Sequence, residues 1–170
     1  VLAACSDGTI FENPKALVSA KRKLARLQRE LARRKKGGKN WQKTKCKIAR
    51  CHYRIACIRR HAQHQVSHYV TAKTKPRAVA IEDLNVKGML QNGRLSKAVS
   101  DAGMSEVRRQ IEYKAKWNGV EVVTASRWYP SSKTCSACGS VKPLLSLSER
   151  TFYCEECGAT FDRDYNAAMN

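Results

Sequence analysis

"CEECGATFDRDYNAAMN", residues 154–170, carries two signals in one stretch. Cys154 and Cys157 are spaced as half of a metal site, and the acids Asp162 and Asp164 follow at once. The other half lies upstream in "TCSACG", where Cys135 and Cys138 complete a C-x2-C-x15-C-x2-C pattern. Zn2+ takes four soft ligands in a tetrahedron, and a hairpin between the pairs can return the second to the first. Gly139 and Gly158 directly follow the second cysteine of each pair, as a tight metal-binding turn favours. Four thiolates leave no open position for a substrate, so the expected site is structural, with one Zn2+ per chain. Two redox-active dithiols are the alternative, and nothing thioredoxin-like surrounds these cysteines.

Working outward, the charge is the next landmark. The net charge is +19, yet Lys15 to Lys75 holds 20 of the 33 Lys and Arg and one of the 14 acids, Glu30. The rest of the chain is balanced, so the whole excess sits on one segment. A field of that strength attracts polyanions, nucleic acid first and an anionic membrane second. No stretch approaches the ~18 consecutive apolar residues of a spanning helix, and no signal peptide heads the chain. The remaining cysteines, Cys5, Cys46, Cys51 and Cys57, read as buried small hydrophobes in a reducing cytoplasm. The opening "VLAACSDGTIFENP" lacks an initiator Met and reads as mid-strand sequence, so a fragment without its upstream part is expected.

Periodicity places the elements. Two short strands flank the turn Ser6-Asp7-Gly8. Leu17, Leu24, Leu27 and Leu31 mark an amphipathic helix starting at Asn13-Pro14. After the breaker "KKGGKN", a second helix runs from about Trp41 to Ala72, with an apolar row at Ile48, Cys51, Ile55, Ile58, Ala62, Val66 and Tyr69. The pair is an antiparallel αα-hairpin whose seams meet while its basic residues face out. "RAVAIEDL" reads as a buried strand ending at Glu82-Asp83. "SEVRRQIEYKAKWNG" reads as a helix capped by Ser105 and stopped by Gly119, and "VEVVTAS" as a further strand. The order describes a mixed α/β domain with two inserts.

Glu82 ends a strand, where α/β folds place functional groups, and Asp162 and Asp164 begin a short helix. Each has a plain alternative: a helix N-cap for Asp162 or Asp164, and a surface charge for Glu82. Beside a polyanion-binding segment they point to Mg2+ held by carboxylates and acting on a phosphodiester. That chemistry uses three or more carboxylates, and only two regions supply them. His61, His64 and His68 share a helix face and read as part of its polar stripe, with metal binding as the lesser alternative. Trp128 and Tyr129 are expected to pack the cysteine hairpin onto the core, with base stacking as the alternative.

At "AVAIEDLNVKGML" (78–90), "RWYPSSKTCSACGSV" (127–141), the closing stretch and the basic "RLQRELARRKKGGKNWQK" (26–43), the sequence resembles the OrfB/TnpB family. These insertion-sequence-encoded proteins are described as transposase accessory proteins and as RNA-guided DNA endonucleases, relatives of the type V CRISPR effectors. The resemblance covers essentially the whole chain. It implies a RuvC-type, RNase H-like α/β core over residues 1–134, with the basic helical hairpin 14–75 inserted. A zinc ribbon follows at 135–158, and the last motif with the terminal helix at 159–170. It implies an Asp–Glu–Asp site with Glu82 as the glutamate and Asp164 as the last aspartate, Asp162 being the second choice. The first aspartate belongs to a "GIDLG"-like strand that the family carries just before the stretch beginning at Val1. No such motif occurs here, and Asp7 lies in a turn. The sheet is therefore expected to lack its first strand.

The expected function is the C-terminal nuclease portion of a TnpB-type protein, cleaving DNA with Mg2+ or Mn2+ in the intact protein. The chain as it stands is expected to be inactive. Its expected partners are DNA and guide RNA, with no membrane, in a prokaryotic cytoplasm. The expected nucleic-acid contacts are Lys21, Arg22, Arg26, Arg33, Arg34, Lys35, Lys36, Lys43, Lys45, Lys47 and Arg54. The alternative is a non-catalytic zinc-ribbon accessory or regulator of transposition that binds nucleic acid.

Overall fold

The computed structural model describes residues 1–146 and 148–170. In chain order the elements are β1 (Ala3–Ala4), β2 (Ile10–Phe11), α1 (Ala16–Ala32), α2 (Lys39–His68) and a π-helix (Tyr69–Lys73). Then come β3 (Ala78–Glu82), α3 (Val86–Gln91), α4 (Ser96–Ala102), α5 (Met104–Asn118), β4 (Glu121–Ala125), β5 (Thr151–Tyr153), β6 (Thr160–Asp162) and α6 (Arg163–Met169). The chain divides into two compact units, Asn13–Val79 with Asn85–Val123, and Val1–Glu12 with Ala80–Leu84 and Thr124–Asn170.

The first unit is helical. The expected leucine seam of α1 meets α2 around Ala16, Leu24, Cys51 and Ile55, with Leu17, Ala20 and Ile48 packed against them. At 1.5 Å per residue, α1 is about 25 Å long and α2 about 45 Å, so α1 covers roughly half of its neighbour. The second half of α2 packs on α5 instead. Of the expected apolar row there, Val66 is buried and Ala62 and Tyr69 half-buried, but Ile58 is 37% exposed, and the polar Gln63, Ser67, Thr71 and Gln110 are buried as well. The Gln63 side chain donates to the Ala102 and Gly103 carbonyls, and the others are linked around Ser67. Ser67 Oγ lies 3.0 Å from Gln110 Oε1, Lys114 Nζ donates to Ser67 Oγ at 2.7 Å, and Thr71 Oγ1 donates to the Ser67 carbonyl at 2.7 Å.

Three helix and cysteine expectations are corrected. Asn13 does not cap α1, because Lys15 takes a left-handed conformation (φ 45°) and the helix begins at Ala16. Ser105 does not cap α5; Gly103, at φ 65°, closes α4 and opens α5, and Ser105 falls inside the first turn. Of the four scattered cysteines Cys51 is buried, Cys5 and Cys57 are half-buried, and Cys46 is exposed.

The strands also differ from expectation. β3 alternates between exposed and half-buried residues rather than being buried throughout. Among the described residues the strands form three two-stranded sheets, β1–β2, β3–β4 and β5–β6, not one mixed sheet. In the second unit α6 packs on β1, β5 and β6. The core there is Cys135, Phe152 and Cys154, flanked by Leu145, Ala159 and Phe161.

Candidate metal centre and carboxylate site

Two similar turns build the cysteine cluster. Gly139 donates its amide to the Cys135 carbonyl at 2.8 Å, and Gly158 to that of Cys154 at 3.0 Å. Both glycines have positive φ, 77° and 71°, which lets each turn close behind its second cysteine. The antiparallel β5–β6 hairpin pairs Thr151 with Asp162 and Tyr153 with Thr160, which returns the second pair toward the first. The four sulphurs lie within 4.8 Å of one another. Cys135 and Cys157 are 3.7 Å apart, and Cys138 and Cys154 are 3.6 Å apart. A tetrahedron with metal–sulphur bonds of about 2.3 Å has edges of about 3.8 Å, so the cluster fits Zn2+.

The electrostatics agree. Burial raises the Cys135 thiol, but the amides of Cys138 and Ala137 outweigh it and hold it at about 7. The Ser140 amide lowers Cys138, yet the neighbouring thiols and burial push it up to about 12. Sulphurs this crowded cannot all ionise without a cation among them.

The acids sit in the same unit and are distinguished by their partners. Asp83 pairs with Arg127 at 2.7 Å, and Asn85 caps α3 by accepting from the Gly88 amide at 3.0 Å. Glu82 is exposed at the end of β3, and its Oε1 accepts from Ser131 Oγ at 2.8 Å. Asp162 is the N-cap of α6, accepting from the amides of Asp164 at 2.9 Å and Tyr165 at 3.1 Å. Asp164 leaves the helix amides alone and faces two guanidiniums, Arg163 at 3.3 Å and Arg150 at 4.0 Å. Asp7 accepts from the Thr9 amide at 2.8 Å within the β1–β2 turn.

One residue that the sequence reading passed over connects these features. Asn166 is fully buried; it donates to the Thr134 carbonyl at 2.7 Å and accepts from the Ser136 amide at 3.0 Å. It thus fastens α6 to the first cysteine turn. Asn170 extends the connection, donating to the carbonyls of Ser131 at 2.9 Å and Thr134 at 2.8 Å. The repeated Asn in "DYNAAMN" was the available signal.

Of the basic residues on the hairpin, Lys21, Arg22, Arg26, Arg33, Lys35, Lys36, Lys43, Lys45, Lys47 and Arg54 are exposed. Arg34 is half-buried and pairs with Glu30, which also accepts from the buried Thr44 hydroxyl at 3.2 Å. Arg26, Arg29, Arg33 and Arg34 line a cavity of about 580 Å³ together with Glu30. His61 and His68 are exposed and His64 is half-buried. Among the described residues no histidine joins a group of three or more metal-ligating side chains. Trp128 is 88% exposed and Tyr129 46%, so neither packs the cysteine hairpin onto a core as expected. No described helix is long and apolar enough to cross a membrane.

Comparisons with known proteins converge. A family described as "Probable transposase" matches residues 1–93, and a Cas12f1-like TNB domain matches residues 105–170. A Streptomyces pristinaespiralis protein named "Putative RNA-guided DNA endonuclease" is 42% identical over 99% of this chain and 41% of its own length. The similarly named InsQ of Escherichia coli K12 is 40% identical over 99% of this chain and 45% of its own length. The chain therefore spans less than half the length of these relatives. A cryo-EM structure of a Cas12f1–sgRNA–target DNA complex matches 90% of this chain and 40% of that one, at 26% identity and a TM-score of 0.56.

Proposed function

The chain belongs to the OrfB/TnpB family, and on that premise we propose that it is the metal-dependent nuclease portion of an RNA-guided DNA endonuclease. The relatives' names and the Cas12f1 complex support DNA and guide RNA as partners. The reading assigns β1 to β4 and α3 to α5 to a RuvC-type, RNase H-like core over 1–134, with the hairpin 14–75 inserted. It assigns 135–158 to the zinc ribbon and 159–170 to the last motif. The exposed basic residues of α1 and α2 hold nucleic-acid phosphates as charged donors.

Glu82 and Asp164 are the proposed catalytic carboxylates. The single observation that carries this is the connected path between their elements. Ser131 donates to Glu82, and Asn170 and Asn166 tie Ser131 and Thr134 to the helix that bears Asp164. The division of labour in Asp-Arg-Asp agrees, because Asp162 is taken up by the helix cap. Both acids offer the hard oxygen ligands that Mg2+ or Mn2+ takes. Such ions, when bound, activate water and stabilise the leaving oxygen of a phosphodiester. In this mechanism Ser131 orients Glu82, and the cap at Asp162 presents Asp164 from the first turn of α6. The zinc ribbon is structural, its four thiolates leaving no position for substrate.

The second reading, a non-catalytic accessory that binds nucleic acid, is favoured by one contact: Asp164 already faces Arg163 and Arg150. Cleavage of target DNA with guide RNA and Mg2+ or Mn2+ separates the two. Residues 1–170 alone supply two carboxylate regions and are expected to leave the DNA intact. Efficient cleavage by them that is lost in Glu82→Ala would overturn that expectation. Grafted into the Streptomyces relative in place of its matching segment, they are expected to support cleavage that Glu82→Ala or Asp164→Ala abolishes. Cleavage indifferent to both substitutions sinks the nuclease assignment.

A further inference from the structure

One face of α5 carries a stack of side chains that the nuclease reading does not use. Arg109, Tyr113 and Trp117 follow one another at steps of four residues, so they lie above one another along the helix. The opposite face, with Ile111 and Ala115, is buried, as is Gln110 at the edge of the stack. The Arg109 guanidinium lies 5.4 Å from the centre of the Tyr113 ring. Tyr113 meets Trp117 edge-on, with ring centres 4.7 Å apart and planes at 64°. Trp117 ends the stack 76% exposed.

The base of the stack is fixed. Arg109 makes two hydrogen bonds to Glu106, at 2.8 and 2.7 Å, and Glu106 accepts a third from the fully buried Gln110 at 3.0 Å. The Arg109 and Gln110 bonds hold the Glu106 carboxyl down at about 2, so the clamp is ionised at neutral pH. An oriented guanidinium, a tyrosine and an open indole thus form a rigid column whose last member lacks a neighbour on most of its surface. Isolated exposed apolar residues need no explanation. An ordered column that ends in an exposed Trp does.

We propose that Trp117 is a stacking platform for an unpaired nucleobase, with Tyr113 and Arg109 as its fixed support. Flat aromatic faces take bases of any sequence, and each stacked base adds markedly to single-strand affinity. The occupant follows from local charge: exposed Lys116 adjoins Trp117, and α5 carries four basic side chains, Arg108, Arg109, Lys114 and Lys116, against two acids, Glu106 and Glu112. A strand with a base on the indole and its phosphates beside these basic side chains complements both. The choice of nucleic acid as ligand rests on the proposed function above. The platform itself rests on the α5 geometry.

The test compares two single strands of about ten nucleotides, one adenine-rich and one abasic with the same phosphates, each made as RNA and as DNA. Trp117→Ala is expected to weaken binding of the adenine strand by about tenfold and to leave the abasic strand unchanged, while Trp117→Phe restores most of the loss. The RNA and DNA arms show which strand is preferred. Equal binding of the adenine strand by wild type and Trp117→Ala overturns the proposal, as does an equal loss on the abasic strand. Failure of the wild type to bind either strand overturns the nucleic-acid reading itself. A second readout uses Trp117 as the sole tryptophan, with Trp41→Phe and Trp128→Phe. Its fluorescence is expected to be quenched by the adenine strand alone, and shielding from acrylamide before any strand is added would show a protein surface covering it, against the proposal.

Discussion

The first turn of α1 has no side-chain cap of its own, so its unpaired amides must be satisfied from elsewhere. Asp101, from α4 and 84 residues away, does this. Its carboxylate accepts from the Leu17 amide at 3.2 and 3.3 Å, and it is 4% exposed. Arg59 of α2 supplies the countercharge at 2.6 Å. One buried acid therefore joins three helices. Removing one member of a buried pair strands the other, at a typical cost of about 3 kcal/mol. Asp101→Ala is expected to lower unfolding stability in urea by roughly that amount. The double variant with Arg59→Ala should recover part of the loss, and purely additive effects would show that the pair is not coupled. The cysteine cluster was legible in the sequence because residue type and local spacing carry its chemistry, whereas Glu82 and Asp164 were given catalytic roles only by the family resemblance. Asp101 was not legible, since its partners stand far away along the chain and no local pattern marks them.

Among the elements, the cysteine hairpin and α6 behave as one structure. Cys135, Phe152 and Cys154 form the small core, and Asn166 enters it from α6. A core this small gains its stability largely from bound metal. Elemental analysis is expected to find about one zinc per chain. Cys135→Ser should lose the metal and speed amide exchange through β5, β6 and α6, while α1 and α2 keep their protection. Retained zinc with unchanged exchange would refute the ribbon assignment. The spacing of the cysteines announced the cluster, but not the Asn166 contacts that tie it to α6. The partner of α2 was less visible, because periodicity names the buried face of a helix but not what covers it. Beyond Ile55 that cover is α5, and the buried Gln63, Ser67 and Gln110 read as surface residues in any hydropathy pattern.

At the scale of the whole molecule, charge is the property that composition alone discloses. The excess between Lys15 and Lys75 is visible residue by residue, and its exposed placement on α1 and α2 agrees. The sheet arrangement was not visible, because strand propensity does not say which strands pair. An electrostatic surface makes a quantitative demand. Each phosphate neutralised releases condensed counterions, so log K should fall with log salt at about −0.9 per contact on duplex DNA. Arg22, Arg26 and Arg33 lie on one side of α1 with their side chains exposed. If each holds a phosphate, replacing all three by Ala should reduce the slope by about 2.7 and weaken binding without regard to sequence. Titration of a duplex between roughly 50 and 200 mM salt measures both quantities. A flat salt response in the unsubstituted chain, or a slope indifferent to the three arginines, would place the nucleic acid on some other surface.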